Sequence, residues 1–139
     1  MSGLSRGLTW VGFVLILVAL LGCGCHPSTP RGAPSPSAAV ERFARAVVSG
    51  DDSAAVEVSV PELTAEDLPA IRMDYFGLEA TDSRGVDVAI DDVISAGEDP
   101  NDRGYVISIR PVGETSVIAS ATVYVGEYDG RYLVWGVSP

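Results

Sequence analysis

Apolar residues run almost without interruption from Leu8 to Leu21, recur at spacings of three and four from Val40 to Tyr75, and alternate with polar ones from Val86 onward. The middle stretch has the period of amphipathic helices, and the last has that of half-buried strands. Ser35-Pro36 opens a helix, with Ser as N-cap and Pro in the first turn, where its missing N–H does no harm. Val40, Phe43, Ala44 and Val47 then share one face, while Glu41, Arg42 and Arg45 fall elsewhere, and Gly50 stops the helix. A second short helix is expected over Ser53–Val58, capped by Asp52 and followed by Pro61. Thr64 with Asp67 three residues on has the form of a capping box. Pro69 places the third helix start near Leu68, with Leu68, Ile71 and Tyr75 as its buried stripe and Gly77 as its end.

Four strands come next. Val86, Val88 and Ile90 alternate until Asp92 breaks the pattern, which predicts a bulge or an early strand end. Tyr105, Ile107 and Ile109 form one face of the second strand. In the third, Val117, Ala119, Ala121, Val123 and Val125 form one face, and Tyr124 falls on the other. Tyr128-Asp129-Gly130-Arg131 puts Asp-Gly between two alternating runs, a strong hairpin signal. The last strand, from Arg131, places Leu133, Trp135 and Val137 on one side. Helices first and strands afterwards predict an α+β fold: N-terminal helices packed on a curved, four-stranded antiparallel sheet of cone-like form.

The first apolar run changes the picture from fold to address. It comes after Arg6 with no acid nearby and leads into small residues, the three parts of an export signal. About 14 residues of helix reach only about 21 Å, short of the roughly 30 Å hydrocarbon core, so the run is not expected to span a bilayer. Its end, Leu20-Leu21-Gly22-Cys23, resembles the lipobox of bacterial lipoproteins. That resemblance implies cleavage between Gly22 and Cys23 and lipid on the Cys23 sulfur. Cys25 competes, but lacks the bulky apolar residue that Leu20 supplies to Cys23. Each buried methylene contributes about 0.8 kcal/mol and stable anchoring takes more than one chain, so a multiply acylated Cys23 would hold the protein on a membrane with no spanning helix. The expected partition is 1–22 as leader, 23–36 as a Pro-rich tether, and 37–139 as one domain.

Composition bounds the partners. The 139 residues hold 9 basic and 19 acidic side chains, and every basic one is Arg. An acidic body repels phosphates, so nucleic acid is not an expected partner. With both cysteines ahead of the domain, no disulfide is expected within it. The single His, His26, lies in the tether, which removes the commonest general base from the domain. Cys23, Cys25 and His26 have no fourth ligand nearby and make a poor zinc site. No cofactor and no metal is expected.

The order of elements resembles the nuclear transport factor 2-like or cystatin-like superfamily. Carrying the resemblance are Ala39-Val40-Glu41-Arg42-Phe43, the Ser49-Gly50-Asp51-Asp52 break and the closing Asp129-Gly130-Arg131-Tyr132-Leu133-Val134 strand. It implies a sheet wrapped round a helix, with a ligand or catalytic pocket at the mouth in some members and a filled interior in many small exported lipoproteins. Its enzymes commonly place His with Asp or Tyr there, and this domain has no His. Tyr75, Asp92 and Tyr124 are the candidate pocket residues. Asp74 and Asp92 are the carboxylates that a small hydrolase or isomerase would use, although Asp92 also suits a solvated bulge. Met73 is a further candidate ligand contact. Asp99, Asn101 and Gly104 echo a calcium loop, but Arg103 and Arg110 stand where oxygen ligands belong. The expectation is a non-enzymatic module anchored through Cys23 on the extracytoplasmic face of the cell membrane, binding a protein or a small apolar ligand.

Overall fold

A computed structural model describes residues 30–79 and 85–139. The leader, the lipobox, Gly22, Cys23, Cys25 and His26 lie outside the described residues. Helix α1 spans Pro36–Ser49, α2 Asp52–Glu57 and α3 Leu68–Ala70, the last continuing as a π-turn over Ile71–Tyr75. Strands β1 (Val86–Ser95), β2 (Arg103–Pro111), β3 (Ala119–Tyr128) and β4 (Arg131–Ser138) form one antiparallel sheet in chain order. The α+β class and the four-stranded antiparallel sheet are as expected.

The Ser35 hydroxyl accepts the Ala38 N–H at 3.3 Å, and Gly50 closes α1 in the left-handed region. Val40, Phe43, Ala44 and Val47 are buried in the same cluster as Ile107, Ile109, Val123, Val125 and Val134 of the sheet. The cap of α2 is Asp51, not Asp52: Asp51 Oδ1 accepts the Ala54 N–H at 3.1 Å. Asp51 lies before the first helical turn, where its carboxylate can reach a free N–H, whereas Asp52 is already helical.

The third helix departs most from its expected form. Phe76 N–H bonds Ile71 O at 3.2 Å, five residues back, so the turn holds one residue more than an α-turn. The extra residue rotates the end of the turn: Tyr75 is half-buried, and Phe76 and Leu78 enter the core in its place. The Thr64 pattern forms only half a box. Asp67 Oδ2 accepts from the Thr64 N–H and hydroxyl, at 2.8 and 3.1 Å, and no side chain caps α3 itself.

In the sheet, Asp92 marks a bulge: pairing with β2 shifts between Ile90 and Asp92, and the strand continues to Ser95. A second shift lies between Tyr124 and Val125 of β3, where Gly136 and Val134 of β4 are the partners and Trp135 is the extra residue. Leu133, Trp135 and Val137 therefore do not share a buried face. Leu133 and Val134 are buried, and Trp135 is 39% exposed. Val117 precedes β3 and is exposed. The hairpin is as expected, with Asp129 and Gly130 both at positive φ, 50° and 76°.

The compact unit runs Arg31–Pro139 and so takes in the last part of the expected tether. Ala33 pairs with Tyr132, exchanging bonds of 2.9 and 3.0 Å, and the 58–60 segment bonds both backbone groups of Val134 at 2.8 and 2.9 Å. Arg31 Nε donates to Ser59 O at 2.8 Å, which ties the two covering segments together. The outer edge of β4 is thus closed by the chain itself. Gly32, at φ 95°, is essential to this seal, because a Cβ there would lie 2.9 Å from Leu133 Cδ2 and from Tyr132 O.

Candidate functional site

Alternation divides the sheet into two faces. Val123 and Val125 point into the core, so Tyr124 points to the opposite face. Its neighbours across both flanking strands are glycines, Gly104 on β2 and Gly136 on β4. Glycine in a strand interior often marks a place where another group approaches closely. Here the Tyr124 ring lies over Gly136, and a Cβ at Gly104 would meet Ile94 Cγ1 at 2.8 Å and Thr122 Cγ2 at 3.0 Å. The bulge turns Trp135 to the same side, where its ring stacks on Tyr124 with centroids 4.9 Å apart and planes 25° apart. The Tyr124 hydroxyl lies 3.0 Å from the Ser138 hydroxyl. Ile94 (40% exposed), Tyr124 and Trp135 therefore form an aromatic and aliphatic row across the face opposite the buried Val123 and Val125.

Tyr75, Asp92 and Tyr124, the three expected pocket residues, lie on three different elements, the π-turn, β1 and β3. Tyr75 packs against the core from the π-turn. Asp92 is exposed at the β1 bulge, and its Oδ1 accepts the N–H of the next residue, Val93, at 2.8 Å. Asp74 is exposed on the π-turn. One cavity of about 220 Å³ opens beside Val93, Ile94, Ser95, Pro100, Asp102 and Arg103. Another, of about 200 Å³, lies between Val47, Leu68, Arg72 and Met73. Met73, 57% exposed, thus reaches a cavity wall, whereas Tyr75, Asp92 and Tyr124 line neither.

The 98–104 loop is a turn held by Asp99, whose side chain accepts the Asn101 N–H at 2.9 Å. No group of three or more His, Cys, Asp or Glu side chains that could hold a metal ion occurs among the described residues. Two tyrosines are perturbed: burial pushes the Tyr105 phenol above its ordinary pKa, with Arg103 opposing, and burial raises Tyr128 with Asp102 and Glu62 adding to it.

No known protein family and no curated protein matches this chain. The site is therefore read from its own groups. It offers ring faces, an aliphatic neighbour, hydroxyls and a strand edge, which suit recognition by stacking and main-chain hydrogen bonds.

Sequence reasoning places Tyr124 on the face opposite Val123 and Val125, as a candidate pocket residue, but misses its partner. The alternation in β4 groups Trp135 with Leu133 and Val137, and one inserted residue between Val134 and Gly136 separates it from Val137. The signal available is the pair Gly104 and Gly136, which marks close approach on the strands either side of Tyr124.

Proposed function

We propose that this chain is an exported bacterial lipoprotein whose domain is a binding module and not an enzyme. Lipid on Cys23 anchors it to the extracytoplasmic face of the cell membrane, and the segment from Cys23 toward Arg31 tethers the domain. Leu20-Leu21-Gly22-Cys23 supports the address. No helix among the described residues is long and apolar enough to cross a membrane. The cone-like form of the nuclear transport factor 2-like superfamily remains our reading of the architecture. It is supported by the burial of α1 in the core of the sheet and by two bulges of the kind that bend strands.

The observation that carries the binding role is the Tyr124–Trp135 stack, a partly exposed aromatic pair on the sheet face opposite the buried Val123 and Val125. Large aromatics so placed are typical anchors of recognition surfaces. A carboxylate enzyme is less well supported: Asp74 and Asp92 are both exposed, and Asp92 is engaged by its own strand.

The test has two arms. Mass analysis of the protein purified from membranes is expected to give a chain that begins at acylated Cys23, with Cys23→Ala released to the soluble fraction. A retained leader without lipid would refute the anchoring. Trp135→Ala is expected to reduce recovery of a cross-linked partner or ligand at least tenfold with unchanged folding, and full recovery would refute the binding surface.

A further inference from the structure

The two edges of the sheet are built differently. Along β4 the outward backbone groups of Tyr132 and Val134 are satisfied by 33 and 58–60. Along β1, among the described residues, no backbone segment pairs with the outer side. The direction of its amides is set by the ladder. Ala96 N–H bonds Asp102 O across to β2, and antiparallel pairs alternate, so Ile94 and Asp92 face β2 while Val93 and Ser95 face outward. The Val93 N–H is met only by the Asp92 carboxylate of its own strand.

An open edge is normally blunted by charge or bulges. Asp87 and Asp92 do part of that, each accepting the N–H of the following residue, one on either side of the bulge. Beyond the bulge, however, the edge also carries apolar groups: Val93 is 45% and Ile94 40% exposed, beside the 220 Å³ cavity. That combination suits a binding edge better than a blocked one.

We propose that β1 from Asp92 to Ser95 receives an extended, basic segment of a partner protein as a fifth strand. The added strand would bond the outward N–H and C=O groups of Val93 and Ser95. Charge selects the partner. Residues 91–110 hold Asp91, Asp92, Glu98, Asp99 and Asp102 against Arg103 and Arg110, and Arg110 lies 3.6 Å from Asp91. A second copy of this chain would set these acids against their own kind, which disfavours self-pairing. On docking, the Asp92 carboxylate exchanges its bond to Val93 for an incoming Lys or Arg. This inference goes beyond the aromatic surface proposed above: it adds a second binding place, at the β1 edge, and does not depend on that surface.

The test uses the full chain in detergent and three synthetic peptides: Lys-Val-Lys-Val-Lys-Val, its Glu-for-Lys counterpart, and a version with alternating prolines. Binding of the basic peptide is expected by calorimetry, weakening at least tenfold between 20 and 200 mM salt. Val93 and Ser95 amides should gain protection from exchange, and the other two peptides should bind at least tenfold more weakly. Val93→Pro removes only an outward N–H, which edge strands tolerate, and should abolish binding while Tm moves little. Asp92→Asn serves as a second variant and should weaken binding about fivefold. Equal binding of the acidic peptide, protection mapped to Tyr132 or to the Tyr124–Trp135 face, or no binding at all would overturn the inference. The lipid and Trp135 measurements above stand or fall separately.

Discussion

The β1 and β4 edges present the same backbone chemistry to opposite sides of one sheet, yet among the described residues only the β4 edge is sealed by backbone. Beside β4 the chain supplies Ala33 and the 58–60 segment, and four backbone bonds of 2.8–3.0 Å close it. Beside β1 it supplies two aspartate side chains. The contrast separates stability from recognition. Bonds to β4 join segments far apart in sequence and hold the fold, whereas the aspartate bonds are local and can be exchanged without unfolding anything.

Opening the sealed edge should have the largest effect. Gly32→Ala puts a side chain at positive φ and into Leu133, and is expected to cost about 2–4 kcal/mol, read by urea denaturation. A change under about 0.5 kcal/mol would show that the seal contributes little. Gly104→Ala probes the other side of the sheet, because its Cβ would meet Ile94 of β1 and Thr122 of β3. Both are γ-carbons of β-branched side chains, which are stiff at χ1, so about 1–3 kcal/mol is expected, together with altered indole fluorescence from the nearby stack.

A pH titration sharpens the comparison at a smaller scale. Tyr105 is buried opposite Val93 of β1, and its folded pKa is raised, mainly by burial. A raised folded pKa means that the neutral phenol is favoured in the fold. Its contribution is fully present below about pH 10, the unfolded value, and is lost as pH rises through the folded value. Stability should therefore fall above pH 10, and Tyr105→Phe should flatten that fall. An unchanged alkaline limb in the variant would assign the loss to other groups. Smallest of all, Asp87→Ala should change stability by less than about 0.5 kcal/mol, since it removes one local bond on an edge.

Much of this fold is legible in the sequence because local chemistry and tertiary packing agree. The α1 stripe, its Ser35 and Gly50 ends, the Asp129-Gly130 hairpin and the bulge at Asp92 all arise from residue types at fixed spacings. The two departures that move side chains between core and surface share one cause, a change of register by a single residue. The π-turn at Ile71 exchanges Tyr75 for Phe76 in the core, and the β4 bulge turns Trp135 outward. In these two places periodicity carries no warning of the inserted residue, whereas at Asp92 the broken alternation does. The candidate site is the least legible part, because Trp135 depends on such a shift and the edge bonds depend on which strand neighbours which. Closure of β4 by Ala33 is likewise hidden, since a short Pro-rich segment has no strand period.

Native-state hydrogen exchange measured residue by residue tests the difference between the edges most directly. The account predicts that the Tyr132, Val134, Ala33 and Val60 amides exchange only at rates near those of global unfolding. The Val93 and Ser95 amides should exchange at least a hundredfold faster in the free protein. Slow exchange at Val93 and Ser95, equal to that of Tyr132 and Val134, would contradict it.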